Sequence, residues 1–256
     1  MGGYAYIFTL GNGKRGTAES GSSACLPAPR VAECKTSFGP HWLYREIQLR
    51  GPGDYLVATP TFPLLELKAL PEFRRLFEDW LTLGKYVGSP ARKFVFDDFG
   101  MRRTFGDAGQ AYRTNIYFGH AQDPDSLESA TGKGAWLDEA GQKKFKLSSW
   151  EAILRRLSLN MGRALLTTTI YNLGWLKAKF WDAFQANDPD VDVIRFRSID
   201  NPAFPLAEWE RARRDLPGWK FDMFYRAIFT RRRWRFAVGV GLFFDKQLNI
   251  GIINRG

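Results

Sequence analysis

Short apolar runs of strand length alternate with longer amphipathic stretches along most of the chain. Such runs, bounded by turn residues, predict strands, whereas apolar residues spaced three and four apart predict helices with one buried face. The alternation of the two predicts an α/β fold with a mostly parallel sheet and helices on both faces. The predicted strands are Tyr4 to Thr9, Tyr55 to Ala58, Asn115 to Phe118, Ala135 to Leu137, Ala164 to Thr168 and Val191 to Phe196.

Three helices lie between these strands in the prediction. The second is expected to start at Ser148 with Glu151 three residues later, which is the spacing of a capping box. A hairpin is predicted around residues 97–100, between Val95 to Phe96 and Met101 to Thr104. The apolar faces of the three helices are Phe73, Leu76, Phe77 and Trp80; Ile153, Leu154 and Leu157; and Leu176, Phe180 and Phe184.

The composition describes a folded, basic chain of 256 residues. Hydrophobic residues make up 45%, which excludes disorder as the main state. The net charge of +10 indicates a polyanionic partner, and the absence of a continuous apolar run of about 18 residues favours nucleic acid over a membrane. Two cysteines and two histidines exclude a disulfide framework and a zinc cluster, and indicate a reducing cytoplasm.

Two segments differ in character from the patterned body, residues 14–34 and 231–256. The first is small, polar and proline-containing, and is predicted to be an atypical insert in a domain covering residues 1–230. The second carries six basic residues and one acidic residue. Its net charge of +5 is half of the +10 of the whole chain, so the charge alone does not establish DNA binding. Shifts of reading frame in the underlying gene are one hypothesis for both sharp compositional edges.

Asp138 and Glu139 end the short apolar strand that begins near Gly134. In phosphate-handling α/β folds an Asp at a strand end holds Mg²⁺ and a following Glu polarises the attacking water. Adjacent residues of an extended chain point to opposite faces, so the two acids can divide these roles.

Lys35, Thr36 and Ser37 precede a predicted helix, as the last residues of a P-loop do. The glycines of that motif are missing, because Pro29 and Cys34 stand at their positions. The predicted first strand nevertheless runs into Gly11-Asn12-Gly13, which is how a phosphate loop begins. The sequence therefore predicts a phosphate loop that is split by the insert, and convergence of its two parts beside Asp138 would show that the site survives the insertion.

Thr167, Thr168 and Thr169 end another buried strand. Hydroxyl groups beside the acidic strand can detect the γ-phosphate through hydrogen bonds and relay its loss. Threonine is also simply a good strand residue, so both explanations stay open.

In their order along the chain, these elements resemble the ATPase domain of tailed-phage terminase large subunits, which implies an α/β fold of the P-loop NTPase type. The most specific part is DPDSLESATGKGAWLDEA, residues 123–140, and the likeness covers roughly residues 35–230 together with 4–13. The resemblance implies hydrolysis of ATP with Mg²⁺, coupled to translocation of double-stranded DNA into a procapsid. Family members also carry a C-terminal nuclease domain, and residues 231–256 stand where it would begin, so nuclease activity is not expected.

The resemblance also implies roles for individual residues. Gly11, Gly13, Lys35, Thr36 and Ser37 correspond to the nucleotide-binding loop. Asp138 with Thr36 corresponds to the Mg²⁺ site, Glu139 to the catalytic acid, and Thr167, Thr168 and Thr169 to the coupling motif.

The implied partners are a portal protein, a small terminase subunit and further copies in a ring, in the cytoplasm of an infected bacterium and transiently on the procapsid. A helicase-like ATPase and an inactive nucleic-acid-binding or structural remnant with a broken phosphate loop are the alternatives. A metal nuclease would need dispersed carboxylates that the sequence does not offer.

Overall fold

A sheet of eight strands forms the centre of the computed structural model. The structure describes residues 6–10, 34–107, 112–123, 127, 131–171, 174–201 and 204–230, with the backbone alone for 6–10, 34 and 35. The strands are β1 (Tyr6–Leu10), β2 (Asp54–Thr59), β3 (Gly84–Val87), β4 (Lys93–Phe96), β5 (Asn115–His120), β6 (Gly134–Asp138), β7 (Arg163–Thr168) and β8 (Val191–Arg195). Their order in the sheet is β3-β4-β5-β2-β6-β7-β1-β8.

The middle of the sheet is parallel and its margins are antiparallel. Strand β2 pairs in parallel with β5 and β6, and β6 pairs in parallel with β7. Strands β3 and β4 add an antiparallel pair at one margin, while β1 runs antiparallel to both β7 and β8 at the other. All six predicted strands are present to within two residues at each end, and the α/β prediction is confirmed.

Helices cover both faces of this sheet, as predicted. They are α1 (Cys34–Arg50), α2 (62–80, built of the α- and π-helical stretches Phe62–Leu64, Leu65–Ala69, Leu70–Arg74 and Arg75–Trp80), α3 (Asp98–Phe105), α4 (Leu147–Ser158), α5 (177–185, built of Lys177–Trp181 and Asp182–Gln185), α6 (Leu206–Asp215) and α7 (Gly218–Tyr225). One core packs α1 and α2 against the face of β2 that carries Tyr55 and Val57, and the other packs α4, α5 and α7 against the face that carries Leu56 and Ala58. No helix in the described part of the chain is long and apolar enough to span a membrane.

Three local predictions were wrong, and one strand was missed. The hairpin around residues 97–100 is instead the start of α3, because the Asp97 side chain accepts a hydrogen bond from the Gly100 amide and caps a helix there. Strand β4 pairs with β3, which the sequence pattern did not predict. Ser148 does not cap α4, which begins one residue earlier at Leu147. Trp80, expected on a buried face, ends α2 and is 52% exposed.

Candidate functional site

The carboxyl ends of β6 and β7 bring the two predicted polar clusters together. Asp138 lies opposite Thr167 in the parallel register, and Thr167 Oγ1 donates a hydrogen bond to Asp138 Oδ1 at 2.7 Å. Thr167 Oγ1 in turn accepts a hydrogen bond from Trp136 Nε1 at 3.0 Å. Asp138 and Thr167 are completely buried, so this hydrogen bond has a fixed geometry in a medium of low dielectric.

The first turn of α1 lies against this pair. Lys35, Thr36 and Ser37 are in that turn, as predicted. Thr36 is buried and its Oγ1 donates a hydrogen bond to Asp138 Oδ2 at 3.2 Å, so both carboxylate oxygens of Asp138 accept from threonine hydroxyls. Ser37 does not contact Asp138, because its Oγ donates to Glu72 Oε2 at 2.8 Å.

A glycine allows α1 to come this close to β6. A Cβ placed on Gly39 would lie 1.9 Å from Cε2 of the fully buried Trp136. Any larger residue would push the helix away from the strand. Gly39 therefore sets the separation at which the Thr36 hydroxyl reaches Asp138.

Glu139 is held in a different direction from Asp138. Its φ of +56° places it in the left-handed region, which is uncommon for a residue other than glycine. The residue is buried, and Oε2 accepts a hydrogen bond from the Tyr171 hydroxyl at 3.1 Å. On the other side, Lys68 Nζ of α2 lies 4.0 Å from Oε1. Burial and the neighbouring charge of Glu139 raise the pKa of Tyr171, so its hydroxyl stays a donor well above neutral pH.

Thr168 contacts the segment that follows Glu139. Thr168 Oγ1 accepts from the Gly141 amide at 2.7 Å and donates to the Thr169 carbonyl at 2.9 Å. Since Thr167 contacts Asp138 and Tyr171 contacts Glu139, residues 167–171 touch each part of the segment from Asp138 to Gly141. A movement of residues 167–171 would therefore displace the hydrogen-bond partners of residues 138–141.

The described donor set fits a magnesium ion better than a softer metal. Mg²⁺ prefers oxygen ligands and is commonly bound by one or two carboxylates together with substrate phosphates. Thr36 and Asp138 supply a hydroxyl and a carboxylate at one point, at the N-terminus of a helix, where the helix dipole favours phosphate. Within the described ranges, no group of three or more His, Cys, Asp or Glu side chains could hold a metal by itself.

The first strand is oriented differently from the prediction. Leu10 pairs with Ala164 of β7 and Val191 of β8, which are the amino ends of those strands, whereas Tyr6 lies opposite Thr168. Strand β1 therefore ends at the end of the sheet that lies opposite Asp138. Gly11 and Gly13 lie outside the described residues. The apolar pattern of β1 predicts burial but not the direction in which the strand runs, so the antiparallel pairing could not be predicted from it.

Comparison with solved structures identifies the architecture. The large-terminase ATPase domain of Thermus phage P74-26, in a mutant form, matches with a TM-score of 0.54 at 20% identity, over 77% of this chain and 85% of that one. The large terminase of a thermophilic bacteriophage, in complex with ADP, matches with a TM-score of 0.56 at 13% identity, over 74% of this chain and 44% of that one. Another crystal form of the latter protein gives a TM-score of 0.54 at 12% identity over 73% of this chain. The chain has the fold of a phage large-terminase ATPase domain.

The matches to this terminase ATPase fold come from solved structures. No protein-family model and no curated protein matches the chain. The chain spans 43% of the length of the full terminase it matches. The matches to solved structures do not show the C-terminal nuclease domain that other terminases carry.

Sequence reasoning missed two residues whose side chains lie against the Glu139 carboxylate, Tyr171 and Lys68. Tyr171 comes only two residues after Thr169 and could have been suspected from that spacing, since it follows the end of a strand beside β6. Lys68 lies on α2, 71 positions before Glu139, and no motif marks it. Its position depends on the packing of α2 against α1, which the sequence pattern alone does not give.

Proposed function

We propose that the chain is the ATPase domain of a phage DNA-packaging motor. The observation that carries the proposal is the buried hydrogen bond between Thr36, in the first turn of α1, and Asp138, at the end of β6, with Glu139 next to it. In P-loop enzymes a hydroxyl that follows the lysine and a carboxylate at a strand end share one Mg²⁺ ion. The terminase ATPase fold supports the same interpretation.

The residues would divide the chemistry as follows. Lys35 and the first amides of α1 would neutralise the phosphates, while Thr36 and Asp138 would hold Mg²⁺. The ion would neutralise charge that develops on the transferred phosphoryl group. Glu139 would accept a hydrogen bond from water and orient it for in-line attack. Gly11, Gly13 and Ser37 belong to the proposed loop by sequence, although Ser37 is engaged with Glu72 in this structure.

The proposal extends to partners through the terminase fold. A terminase of this fold has been solved with ADP and another of its crystals with ATP-γ-S. By analogy, Thr167, Thr168 and Thr169 would couple hydrolysis to movement of double-stranded DNA. The chain would act as a ring with a portal protein and a small terminase subunit, in the cytoplasm of the infected host.

A second candidate is an inactive remnant of such a domain. The direction of β1 favours it, because the strand ends at the edge of the sheet opposite Asp138. A phosphate loop normally follows the carboxyl end of a strand at the edge that binds the nucleotide. The remnant would keep the fold and the Thr36 to Asp138 contact without turning over ATP.

A titration of the whole chain with ATP and Mg²⁺ separates the two candidates. The motor domain is expected to bind saturably, to lose at least about tenfold in affinity on Lys35→Ala, and to hydrolyse ATP faster when double-stranded DNA is added. Lys85→Ala, on strand β3, is the matched control and should bind as the wild type does. Absence of saturable binding supports the remnant. Separation of the strands of a forked duplex would instead indicate a helicase-like ATPase.

A further inference from the structure

Tyr171 lies where it can control the orientation of Glu139. Its hydroxyl donates to Glu139 Oε2 at 3.1 Å, and it belongs to the segment that directly follows β7. We propose that Tyr171 is the positioning residue for Glu139: its hydroxyl fixes one carboxylate oxygen and directs the other towards the attacking water. This inference rests on the proposed function and adds a residue that acts through Glu139 without touching the nucleotide.

The geometry around Glu139 explains why a fixed oxygen matters. A carboxylate on a residue with φ of +56° projects from the strand at an unusual angle, and its side chain has three rotatable bonds with which to leave that position. The Tyr171 hydroxyl restrains Oε2, whereas Lys68 Nζ, at 4.0 Å from Oε1, is too far for a direct hydrogen bond. Among the described contacts, Tyr171 therefore holds Oε2 by a hydrogen bond, and Lys68 forms an ion pair with Oε1.

Tyr171 is not primarily a packing residue. It is 42% exposed and lines a cavity of about 230 Å³ together with Gly141, Thr168 and Trp175. Removing its hydroxyl therefore leaves the hydrophobic core intact. The same segment carries Thr167, which contacts Asp138, so a movement of residues 167–171 would shift the partners of both acids together.

The first test compares Tyr171→Phe with the wild type in steady-state hydrolysis of ATP. We expect kcat to fall about tenfold while KM and the affinity for ATP with Mg²⁺ stay within about twofold, because the lost interaction orients the attacking water and does not bind the ground state. Tyr55→Phe is the control: it removes a tyrosine hydroxyl that donates to the Gly51 carbonyl at 2.7 Å, next to the amino end of β2. It should leave kcat unchanged.

The second test addresses the contact itself, independently of turnover. The charge of Glu139 helps to raise the pKa of Tyr171, so Glu139→Gln should allow one tyrosine to ionise at lower pH, as followed by tyrosinate absorbance. In a Tyr171→Phe background, adding Glu139→Gln should leave the tyrosine titration unchanged. An unchanged titration would overturn the contact.

The outcomes distinguish this inference from the proposed function. An active wild type whose Tyr171→Phe variant keeps its kcat overturns the role of Tyr171 alone. Equal losses in Tyr171→Phe and in Tyr55→Phe indicate general destabilisation and also overturn it. A wild type that binds ATP with Mg²⁺ and never hydrolyses it overturns both the proposed function and the positioning role, whatever the tyrosine titration shows.

Discussion

Thr36 and Asp138 are hydrogen-bonded to each other across 3.2 Å, although 102 positions separate them in the chain. The contact joins the start of a helix to the end of a strand, and both residues are buried. Because the second oxygen of Asp138 accepts from Thr167 at 2.7 Å, the carboxylate is fixed on both sides. This arrangement leads to the predictions that follow.

Replacing Thr36 by Val removes one donor to Asp138 with little change of shape. We expect the free energy of unfolding to fall by about 1–3 kcal/mol, because a buried carboxylate oxygen loses its partner. Affinity for ATP with Mg²⁺ should fall at least about tenfold, as measured by calorimetry. Thr36→Ser keeps the hydroxyl and should retain both properties. Normal affinity in Thr36→Val would show that this hydroxyl has no part in the metal site.

Replacing Thr167 by Val affects two buried hydrogen bonds at once. The Asp138 Oδ1 loses a donor at 2.7 Å and the Trp136 Nε1 loses its acceptor at 3.0 Å. Denaturation by urea should show a loss of about 2–4 kcal/mol, more than for Thr36→Val. Thr82→Val, whose exposed hydroxyl donates only to a neighbouring carbonyl, is the control and should change stability by less than about 0.5 kcal/mol.

Replacing Glu139 by Gln keeps the size of the side chain and removes its capacity as a base. Hydrolysis should fall by about 10²–10⁴-fold while ATP binding stays largely intact, because the general base acts on water and not on the nucleotide. Glu66→Gln, on the exposed surface of α2, is the matched control. Retention of the full rate in Glu139→Gln would refute the assignment of Glu139.

Adding one methyl group at Gly39 should disturb both the fold and the site. The new Cβ would lie 1.9 Å from the Trp136 ring, so α1 must move away from β6. The expected cost is about 1–3 kcal/mol or more in thermal or urea unfolding. Gly218→Ala, at the start of α7, meets no atom within 4 Å and should be tolerated. Equal stability of the two variants would mean that α1 and β6 are not packed this closely.

Removing Arg163 should leave a buried charge with too few partners. Glu46 is 1% exposed and accepts hydrogen bonds from Arg163 Nε at 3.0 and 3.1 Å, while Arg50 binds it from the same helix. Arg163 is itself 37% exposed, so Arg163→Met should destabilise the chain by about 1–3 kcal/mol, since Arg50 would be the remaining described partner of the buried carboxylate. Arg214→Met breaks an exposed pair with Asp215 and should change the free energy of unfolding by less than about 1 kcal/mol. Equal small effects in both variants would contradict the role of Arg163 as a partner of the buried Glu46.

Local patterns of apolar residues were sufficient to locate the parallel centre of the sheet. Strands β2, β6 and β7 are buried on both faces and appear in the sequence as short continuous apolar runs. Strand β3 was missed, because its four residues alternate between buried and exposed and include a glycine, so its signal is weak. The start of α3 was mistaken for a turn because Asp-Asp-Phe-Gly fits both a turn and a helix cap.

The candidate site was partly predictable for a similar reason. Asp138, Glu139 and Thr167 end apolar runs, and ends of parallel strands meet at one edge of a sheet. Thr36 was marked by its place before a helix. Lys68 and the turn of Glu139 into the left-handed region depend on contacts between distant segments, and a pattern along the chain does not contain them.

The sequence by itself determined the fold class and six of the strands, and it marked the candidate site residues, because burial and polar strand ends are local properties of the chain. Only the tertiary structure decided which of these residues meet and in which direction β1 runs. A strand satisfies its backbone hydrogen bonds in either direction, and the pairing of Thr36 with Asp138 requires Gly39 to admit α1 against Trp136. These are consequences of packing, which no single stretch of the sequence specifies.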